Sequence, residues 1–224
     1  MNRSALLLGV MLLAGHTWVS AQEPVAVPAA AAAPASRAYK VDPAKTQIYA
    51  IVLKDGVASA VAHDHVIAAK DSSGTVIFAA GDPKNSIEVT VNVNSFQADE
   101  ASMRKKAGLG EGPSADDART VETNMKAADQ LNVGKYPTMT FKSTTITPQG
   151  GDKYQVEGKF TLHGVTKDVK FTATAAIENG AWHGKGKLVL KQSDYGFQPY
   201  SALFGAIKNK DPITLYLDIW AQPN

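Results

Sequence analysis

The chain has 224 residues, a formal net charge of +2, 44% hydrophobic and 20% charged residues, and no cysteine. The lack of cysteine excludes disulfides, thiolate metal ligands, a cysteine nucleophile and lipid modification of an N-terminal cysteine. The near-neutral charge, with no basic patch interleaved with aromatic residues, argues against nucleic acid as a partner.

The first residues read as an export signal. Asn2 and Arg3 form a short positive region, Ala5 to Gly15 is apolar, and Val19-Ser20-Ala21 offers the small residues that a signal peptidase reads. The apolar run is about half of the roughly 20 residues that a membrane-spanning helix needs. We therefore predict a cleaved signal peptide over residues 1–21 and an exported, soluble mature chain.

The next segment, residues 22–38, consists mostly of alanine and proline and has almost no large apolar side chains. Such a composition cannot bury enough surface to offset the entropy lost on ordering, so we predict a disordered linker. Residues 39–224 remain, which is an ordinary length for one all-β domain.

The first half of this domain contains alternating segments that predict strands. Tyr39 to Lys54 is apolar on both faces and reads as one strand buried on both sides. Gly74 to Ala79 is a second strand. Ser86 to Asn94 alternates most cleanly, with one dry face and one wet face.

A helix interrupts the strands. Ser114 precedes Asp117 by three positions, which is the arrangement of a helix N-cap, and weakly apolar residues then recur at helical spacing up to about Gln130. Because the apolar stripe is weak, we expect this helix to lie across a barrel wall or mouth without entering the core.

The second half predicts a meander of long strands. Tyr136 to Lys170 alternates on both sides of a Pro-Gln-Gly-Gly-Asp turn, and a third strand follows the bend at His163-Gly164. Asn179-Gly180 marks another hairpin, and Ile213 to Trp220 is the last strand. We count seven or eight strands and one helix. Such an antiparallel sheet either packs on a second sheet or closes on itself, and closure removes exposed edges.

Several of these segments resemble a known family. Lys135-Tyr136-Pro137 with Phe141, the block Val156 to Lys167 (VEGKFTLHGVTK) and Ser193 to Phe197 (SDYGF) are similar to conserved blocks of the YceI-like family of bacterial polyisoprenoid-binding proteins. The resemblance extends over most of Tyr39 to Ala221. It implies an all-β fold with one helix, an antiparallel lipocalin-like β-barrel of about eight strands that encloses a long isoprenoid chain.

The barrel interior has two interpretations. An eight-stranded barrel can hold one small ligand or be filled by its own side chains, and the residues alone favour a filled core. The family resemblance favours a cavity, and the small inward residues Gly158, Ala173 and Ala175 would leave space in it. The residues predicted to line the ligand tail are Ile87, Val89, Val91, Val93, Phe141, Phe160, Leu162, Phe171, Leu217 and Ile219.

His63 and His65 are the predicted head-group ligands. In a strand, His-x-His places both imidazoles on one face, which also suits a metal site completed by His163, His183 or a carboxylate. A periplasmic metal- or haem-associated binding protein is therefore the alternative function. Taken alone, His163 is explained by a bond to local backbone, and His183 reads as a surface or rim residue.

No motif argues for catalysis, because a nucleophile elbow, a cysteine and a paired carboxylate site are all missing from the sequence. We predict a non-enzymatic periplasmic carrier or sequestering protein for a quinone or polyprenyl lipid, with no cofactor beyond that ligand. A filled structural barrel, transient membrane contact during ligand exchange and a homodimer stay open.

Overall fold

Residues 35–224 are described by a computed structural model and contain two α-helices and fourteen strands. The helices are α1 (Ala101–Lys106) and α2 (Ala115–Lys126). The strands are β1 (Arg37–Val41), β2 (Gln47–Val52), β3 (Lys54–Asp55), β4 (His65–Ala68), β5 (Ser72–Phe78), β6 (Ser86–Asn92), β7 (Gln97–Ala98), β8 (Thr138–Pro148), β9 (Lys153–Leu162), β10 (Val165–Glu178), β11 (Ala181–Lys191), β12 (Ser201–Ala202), β13 (Ile207–Asn209) and β14 (Pro212–Pro223).

The N-terminal predictions fall largely outside these residues. The predicted signal peptide, 1–21, and the first part of the predicted linker lie before residue 35. At the other end of that linker, Arg37 and Ala38 already belong to β1 and pair with Phe78 and Ile77 of β5.

Eight strands close into an antiparallel barrel, which confirms the predicted fold class. They follow the order β1, β5, β6, β8, β9, β10, β11, β14, and β1 then pairs with β14 through Tyr39 opposite Pro223 and Val41 opposite Ala221. Closure gives the strands of the ring a partner on each side and so removes the open edges of a sheet.

The predicted single strand from Tyr39 to Lys54 is wrong, because the chain forms β1 and β2 there with a turn between them. Both strands pair with the same edge of β14. In the turn, the backbone N–H of Thr46 donates to the carbonyl of Asp42 (3.0 Å), and the Thr46 hydroxyl accepts from the backbone N–H of Trp220 (3.1 Å). Pro43 explains the break, because proline cannot donate to a strand ladder.

Strand β2 is covered on both faces, as the sequence predicts. Ile48 points into the barrel, whereas Tyr49 packs outside against Val66, Ala68 and Met103 of β4 and α1. Helix α1 was not predicted and corrects the count from one helix to two. Six residues are too few to show helical periodicity, and Met103 is its one buried apolar side chain.

Helix α2 begins as predicted and ends early. The Ser114 side chain accepts from the backbone N–H of Asp117 (3.1 Å), which is the expected N-cap. The helix ends at Lys126 because Ala127 is extended. No residue of α2 is buried. The helix contacts β7 at one end of the barrel, hereafter the upper end.

At the same end, the short strands β12 and β13 form a small second sheet with β3. Among residues 35–224, none of the helices is long and apolar enough to cross a membrane.

The segments that carry the family resemblance meet in space. The ring centroids of Tyr136 and His163 are 4.4 Å apart, and those of His163 and Phe197 are 5.3 Å apart. His163 Nδ1 is hydrogen-bonded to the carbonyl of Tyr195 (3.0 Å), 32 positions along the chain, so its partner is not local. Gly164 follows with φ +74°, and a side chain there would collide with Tyr136. This contact joins the turn after β9 to the segment after β11.

Candidate functional site: two chambers in the barrel

The lower half of the barrel holds an almost wholly apolar chamber. It encloses about 870 Å³ of empty space, counted with its opening to solvent. The walls come from β5, β6, β8, β9, β10, β11 and β14, and include Val76, Phe78, Val89, Val91, Phe141, Tyr154, Phe171, Ala173, Ala175, Trp182, Leu217 and Ile219.

The upper half holds a second chamber with an apolar wall and a polar end. It encloses about 1050 Å³, counted in the same way. Val121 and Met125 of α2 line it on one side, which agrees with the predicted position of this helix across a barrel wall or mouth. Its polar lining residues include His65, Asn124, Gln130, Gln192, Tyr200 and Asn209.

Four residues line both chambers and form a waist between them. They are Ile48, Met139, Phe160 and Leu215, from β2, β8, β9 and β14. Because the chambers share these side chains, they lie one above the other along the barrel interior. The inward side chains therefore leave apolar space inside the barrel both above and below the waist.

Most residues predicted for the ligand tail line one of the chambers. Phe160 lines both chambers, Leu162 lines the upper chamber, and Val93 is buried in the core without reaching either. The predicted residues that line only the lower chamber are Ile87, Val89, Val91, Phe141, Phe171, Leu217 and Ile219. Their contact with a ligand stays a prediction.

One of the three small inward residues does not leave space. A Cβ atom on Gly158 would lie 2.6 Å from ring atoms of Phe141, so the glycine makes room for that ring. Ala173 and Ala175 do line the lower chamber. Gly158 thus accommodates a neighbouring ring, whereas the two alanines leave space in the chamber.

The polar end of the upper chamber offers side chains without protein partners. Within residues 35–224, the amides of Asn124 and Asn209 and the hydroxyl of Tyr200 make no hydrogen bond to another group, although they line the chamber. Gln192, in contrast, donates to the carbonyl of Lys210 (2.9 Å). Sequence reasoning missed Gln192, Tyr200 and Asn209 because each lies in a loop or short element without a periodic pattern. It missed Asn124 because that residue is not part of the apolar stripe of α2.

His65 is held in place from behind by a buried carboxylate. Its Nδ1 is 2.6 Å from Oδ2 of Asp99, whose side chain is 0% exposed. Arg104 donates to the other oxygen of Asp99 (2.6 Å) and also to the carbonyls of Asp64, Gly110 and Glu111. Because Nδ1 is engaged, Nε2 is the ring nitrogen left to meet a ligand in the upper chamber.

The ionisation of Asp99 makes the stability of the fold depend on pH. Burial raises the pKa of the Asp99 carboxyl, but hydrogen bonds from His65, Val66 and Arg104 outweigh burial and hold the pKa below its ordinary value. A carboxyl with a depressed folded-state pKa stabilises the fold fully above its unfolded-state pKa, and loses that effect as pH falls through the folded-state value.

We therefore expect the free energy of unfolding to fall on acidification below about pH 5, where an unfolded-state aspartate begins to bind protons. The measurement is urea unfolding at neutral and acid pH for the wild type and Asp99→Asn. The variant should lose part of this acid dependence. An unchanged dependence in Asp99→Asn would show that other carboxyls, such as Asp218 with its likewise depressed pKa, carry it all.

His63 is not placed as predicted. It precedes β4, is exposed and lines neither chamber, so the two histidines do not share a strand face. Over residues 35–224, no group of three or more His, Asp or Glu side chains is arranged to hold a metal ion. Asp64 explains the local geometry, because its carboxylate accepts from the backbone N–H of Lys54 (2.8 Å) and fixes the chain before β4.

His183 is buried, which corrects its prediction as a surface or rim residue. It lies on the outer face of β11, stacked on Trp220 at 3.8 Å between ring centroids. Its two nitrogens contact the carboxylates of Glu178 (2.7 Å) and Asp218 (2.8 Å). The strand alternation places it outside the barrel, away from both chambers.

The neighbouring residue Trp182 faces inward and lines the lower chamber. A Cβ atom on Gly184 would lie 2.3 Å from its ring, so the indole lies across that glycine. In the part of the chain that the structure describes, the Trp182 indole nitrogen is the one buried side-chain N or O atom without a hydrogen-bond partner. An unpaired buried donor costs about 1–3 kcal/mol.

A closed antiparallel barrel with apolar space inside it and polar side chains at its upper end is the lipocalin-like architecture, and it is consistent with a binding protein. The YceI-like domain model matches residues 39–221, and the chain belongs to that family. This confirms the resemblance seen in the sequence.

Relatives of known sequence agree with this assignment. A UPF0312 protein of Pseudomonas paraeruginosa is 31% identical over 135 residues, covering 57% of this chain and 61% of the relative. Protein YceI of Salmonella arizonae is 31% identical over 131 residues, covering 54% of this chain and 59% of the relative. The matches thus span about three fifths of the length of these curated relatives.

Solved structures share the fold. BcnA of Burkholderia cenocepacia has a TM-score of 0.63 at 24% identity, covering 81% of this chain and 99% of that one. The YCEI protein of Campylobacter jejuni has a TM-score of 0.53 at 19% identity, covering 70% and 84%. At these identities the likeness concerns the fold alone.

Proposed function

We propose that this chain is an exported carrier or sequestering protein for a long-chain isoprenoid lipid of the quinone or polyprenyl type. The observation that carries the proposal is the division of the barrel interior into an apolar lower chamber and an upper chamber with a polar end. An amphiphile with a long hydrocarbon chain and one polar head group matches this division. The signal-like residues 1–21 favour delivery to the periplasm.

The chambers also favour one orientation of the ligand. The head group would lie among His65, Asn124, Tyr200 and Asn209, and the tail would pass the waist at Phe160 into the lower chamber. Hydrogen-bond partners are then available at the upper end, and the lower walls offer hydrocarbon contact.

Binding of this kind needs no catalytic group. Each buried CH₂ contributes about 0.8 kcal/mol, so several prenyl units provide tight binding by burial alone. Family membership is consistent with a binding protein.

The direct test is a titration of lipid-free protein with a long-chain prenyl quinone. A tail in the lower chamber lies beside Trp182 and changes the surroundings of its ring, so the emission of Trp182 is expected to shift and to saturate at one equivalent of quinone. Trp220 lies on the outer face, so Trp220→Phe should leave this shift intact. Failure of the quinone to saturate a folded protein contradicts the proposal.

Two conservative substitutions test the orientation. Tyr200→Phe and Trp182→Phe each remove one polar hydrogen and keep an aromatic ring. If the head group lies in the upper chamber, Tyr200→Phe should weaken quinone binding about fivefold to tenfold, the worth of one hydrogen bond. Trp182→Phe should change it less than about twofold, since the tail has no strong acceptor.

Calorimetric titration measures both affinities. The reversed pattern, a large loss in Trp182→Phe and none in Tyr200→Phe, would place the head group at the bottom of the barrel. That result contradicts the orientation and leaves lipid binding itself intact.

A further inference from the structure

Four apolar side chains project from one tip at the upper end of the barrel. Val57 and Val61 follow β3, and Leu203 and Phe204 lie between β12 and β13. All four are strongly exposed, and Phe204 is exposed over its whole surface. Large apolar side chains exposed singly are ordinary, but four on adjacent loops form a patch.

The two loops form a single structural unit. Strands β3 and β13 pair through Lys54 opposite Asn209 and Asp55 opposite Lys208. Beyond this pairing, the backbone N–H of Ala58 donates to the carbonyl of Ala206 (2.9 Å). The tip, defined as residues 53–62 and 201–210, therefore presents its apolar side chains together.

The backbone at the tip is strained. Leu203 has φ +49° and Phe204 has φ +55°, in the left-handed region that residues with a Cβ atom rarely adopt. A fold gains nothing from holding two large apolar side chains in water in this conformation. Strained residues that persist without a packing reason cluster at functional sites.

The charges around the tip cancel. Three lysines and three aspartates lie on the tip or next to it: Lys54, Asp55, Asp64, Lys208, Lys210 and Asp211. Because these formal charges sum to zero, a zwitterionic lipid surface fits the tip better than an acidic one. The tip does not resemble a polybasic patch for acidic lipids.

We propose that this tip docks the protein onto a zwitterionic lipid bilayer, with Phe204, Leu203, Val57 and Val61 inserted into the interface. Leucine and phenylalanine are the side chains that interfacial segments bury at the head-group boundary. A stable protein interface takes about 20–30 residues from each partner, and four exposed apolar side chains fall far short of that, which favours a bilayer over a second protein.

The tip adjoins the upper chamber. Tyr200 and Asn209 line that chamber, and the backbone N–H of Asn209 donates to the carbonyl of Tyr200 (2.9 Å) within the tip sheet. Docking would bring the chamber to the membrane surface for ligand exchange. The exchange step rests on the proposed function, whereas docking does not, since it needs no cargo.

The experiment is flotation of the lipid-free protein with vesicles of phosphatidylcholine and phosphatidylethanolamine. The test variant is Leu203→Asn with Phe204→Asn, because asparagine tolerates the left-handed region and should preserve the fold. Val57→Thr with Val61→Thr is a second variant that keeps β-branched side chains. Val189→Thr, an exposed valine on the barrel wall, is the matched control.

The wild type and Val189→Thr should float with the vesicles, and both tip variants should lose at least about tenfold in partitioning, with little effect of salt. The proposal is overturned if the tip variants partition onto vesicles as strongly as the wild type does, or if the wild type does not bind vesicles. Concentration-dependent dimerisation that Leu203→Asn with Phe204→Asn abolishes also overturns it. Quinone titration of the same variants is independent, so loss of flotation with retained quinone binding separates docking from cargo.

Discussion

Phenylalanine at positions 173 and 175 should abolish lipid binding while the protein stays folded. Ala173 and Ala175 line the lower chamber, and two phenyl rings there occupy the space proposed for the tail. Each CH₂ kept out of the chamber costs about 0.8 kcal/mol, so excluding five weakens binding by roughly three orders of magnitude. The measurement is quinone affinity of Ala173→Phe with Ala175→Phe, together with its melting temperature.

The adjacent residue supplies the control. Ala176 points outside the barrel, where it lies opposite His183, so Ala176→Phe adds the same ring to the same strand without entering the chamber. It should bind quinone as the wild type does. Normal quinone binding by the folded double variant would show that the lower chamber does not hold the tail.

Asp99→Asn should be the most destabilising of the single substitutions considered. The change removes the buried negative charge that Arg104 and His65 face, and it leaves the Arg104 guanidinium buried without its counter-ion. Removing one partner of a buried ion pair costs about 3–5 kcal/mol. Because Arg104 also fixes the Gly110 and Glu111 carbonyls, the loop before α2 should loosen, and the upper chamber with it.

Urea unfolding at neutral pH measures this loss. Asp168→Asn is the matched control, because Asp168 pairs with Lys159 (2.9 Å) on the exposed barrel wall, where such pairs contribute about 0–1 kcal/mol. If Asp99→Asn costs no more than Asp168→Asn, the Asp99–Arg104 pair is not what supports His65.

The sequence predicted the long strands well because their pairing is local. The hairpins at Gln149 to Asp152 and at Asn179-Gly180 join strands that are neighbours in both sequence and space, so alternation and turn residues determine their register. The N-cap at Ser114 is local in the same sense. The family resemblance rested on three sequence blocks. Their spacing along the chain did not predict that they contact one another at His163.

The parts that sequence reasoning missed depend on distant contacts. His63 and His65 appeared equivalent, but β4 begins only at His65, and it is Asp99, 34 positions later, that orients the ring. Val93 continues the alternation of β6 and yet enters a short helical turn after Asn92. Periodicity predicts which face of a strand a residue lies on. It does not predict where along the barrel axis that residue lies or whether it lines a chamber.

The residues alone also could not predict whether space remains inside the barrel. Gly158 and Ala175 look alike as small inward residues, but Phe141 fills the space at one and the lower chamber occupies the space at the other. The difference depends on the rotamer of an aromatic ring on the adjacent strand. The family resemblance favoured a cavity, whereas the residues alone favoured a filled core.

The central claim is that the barrel holds an isoprenoid lipid, and its most direct test is the cargo itself. The protein is purified from its native compartment and extracted with organic solvent, and the extract is analysed by mass spectrometry beside a metal assay on an untreated aliquot. The account predicts one isoprenoid lipid per chain. A folded protein that carries metal without lipid, or neither, would contradict it.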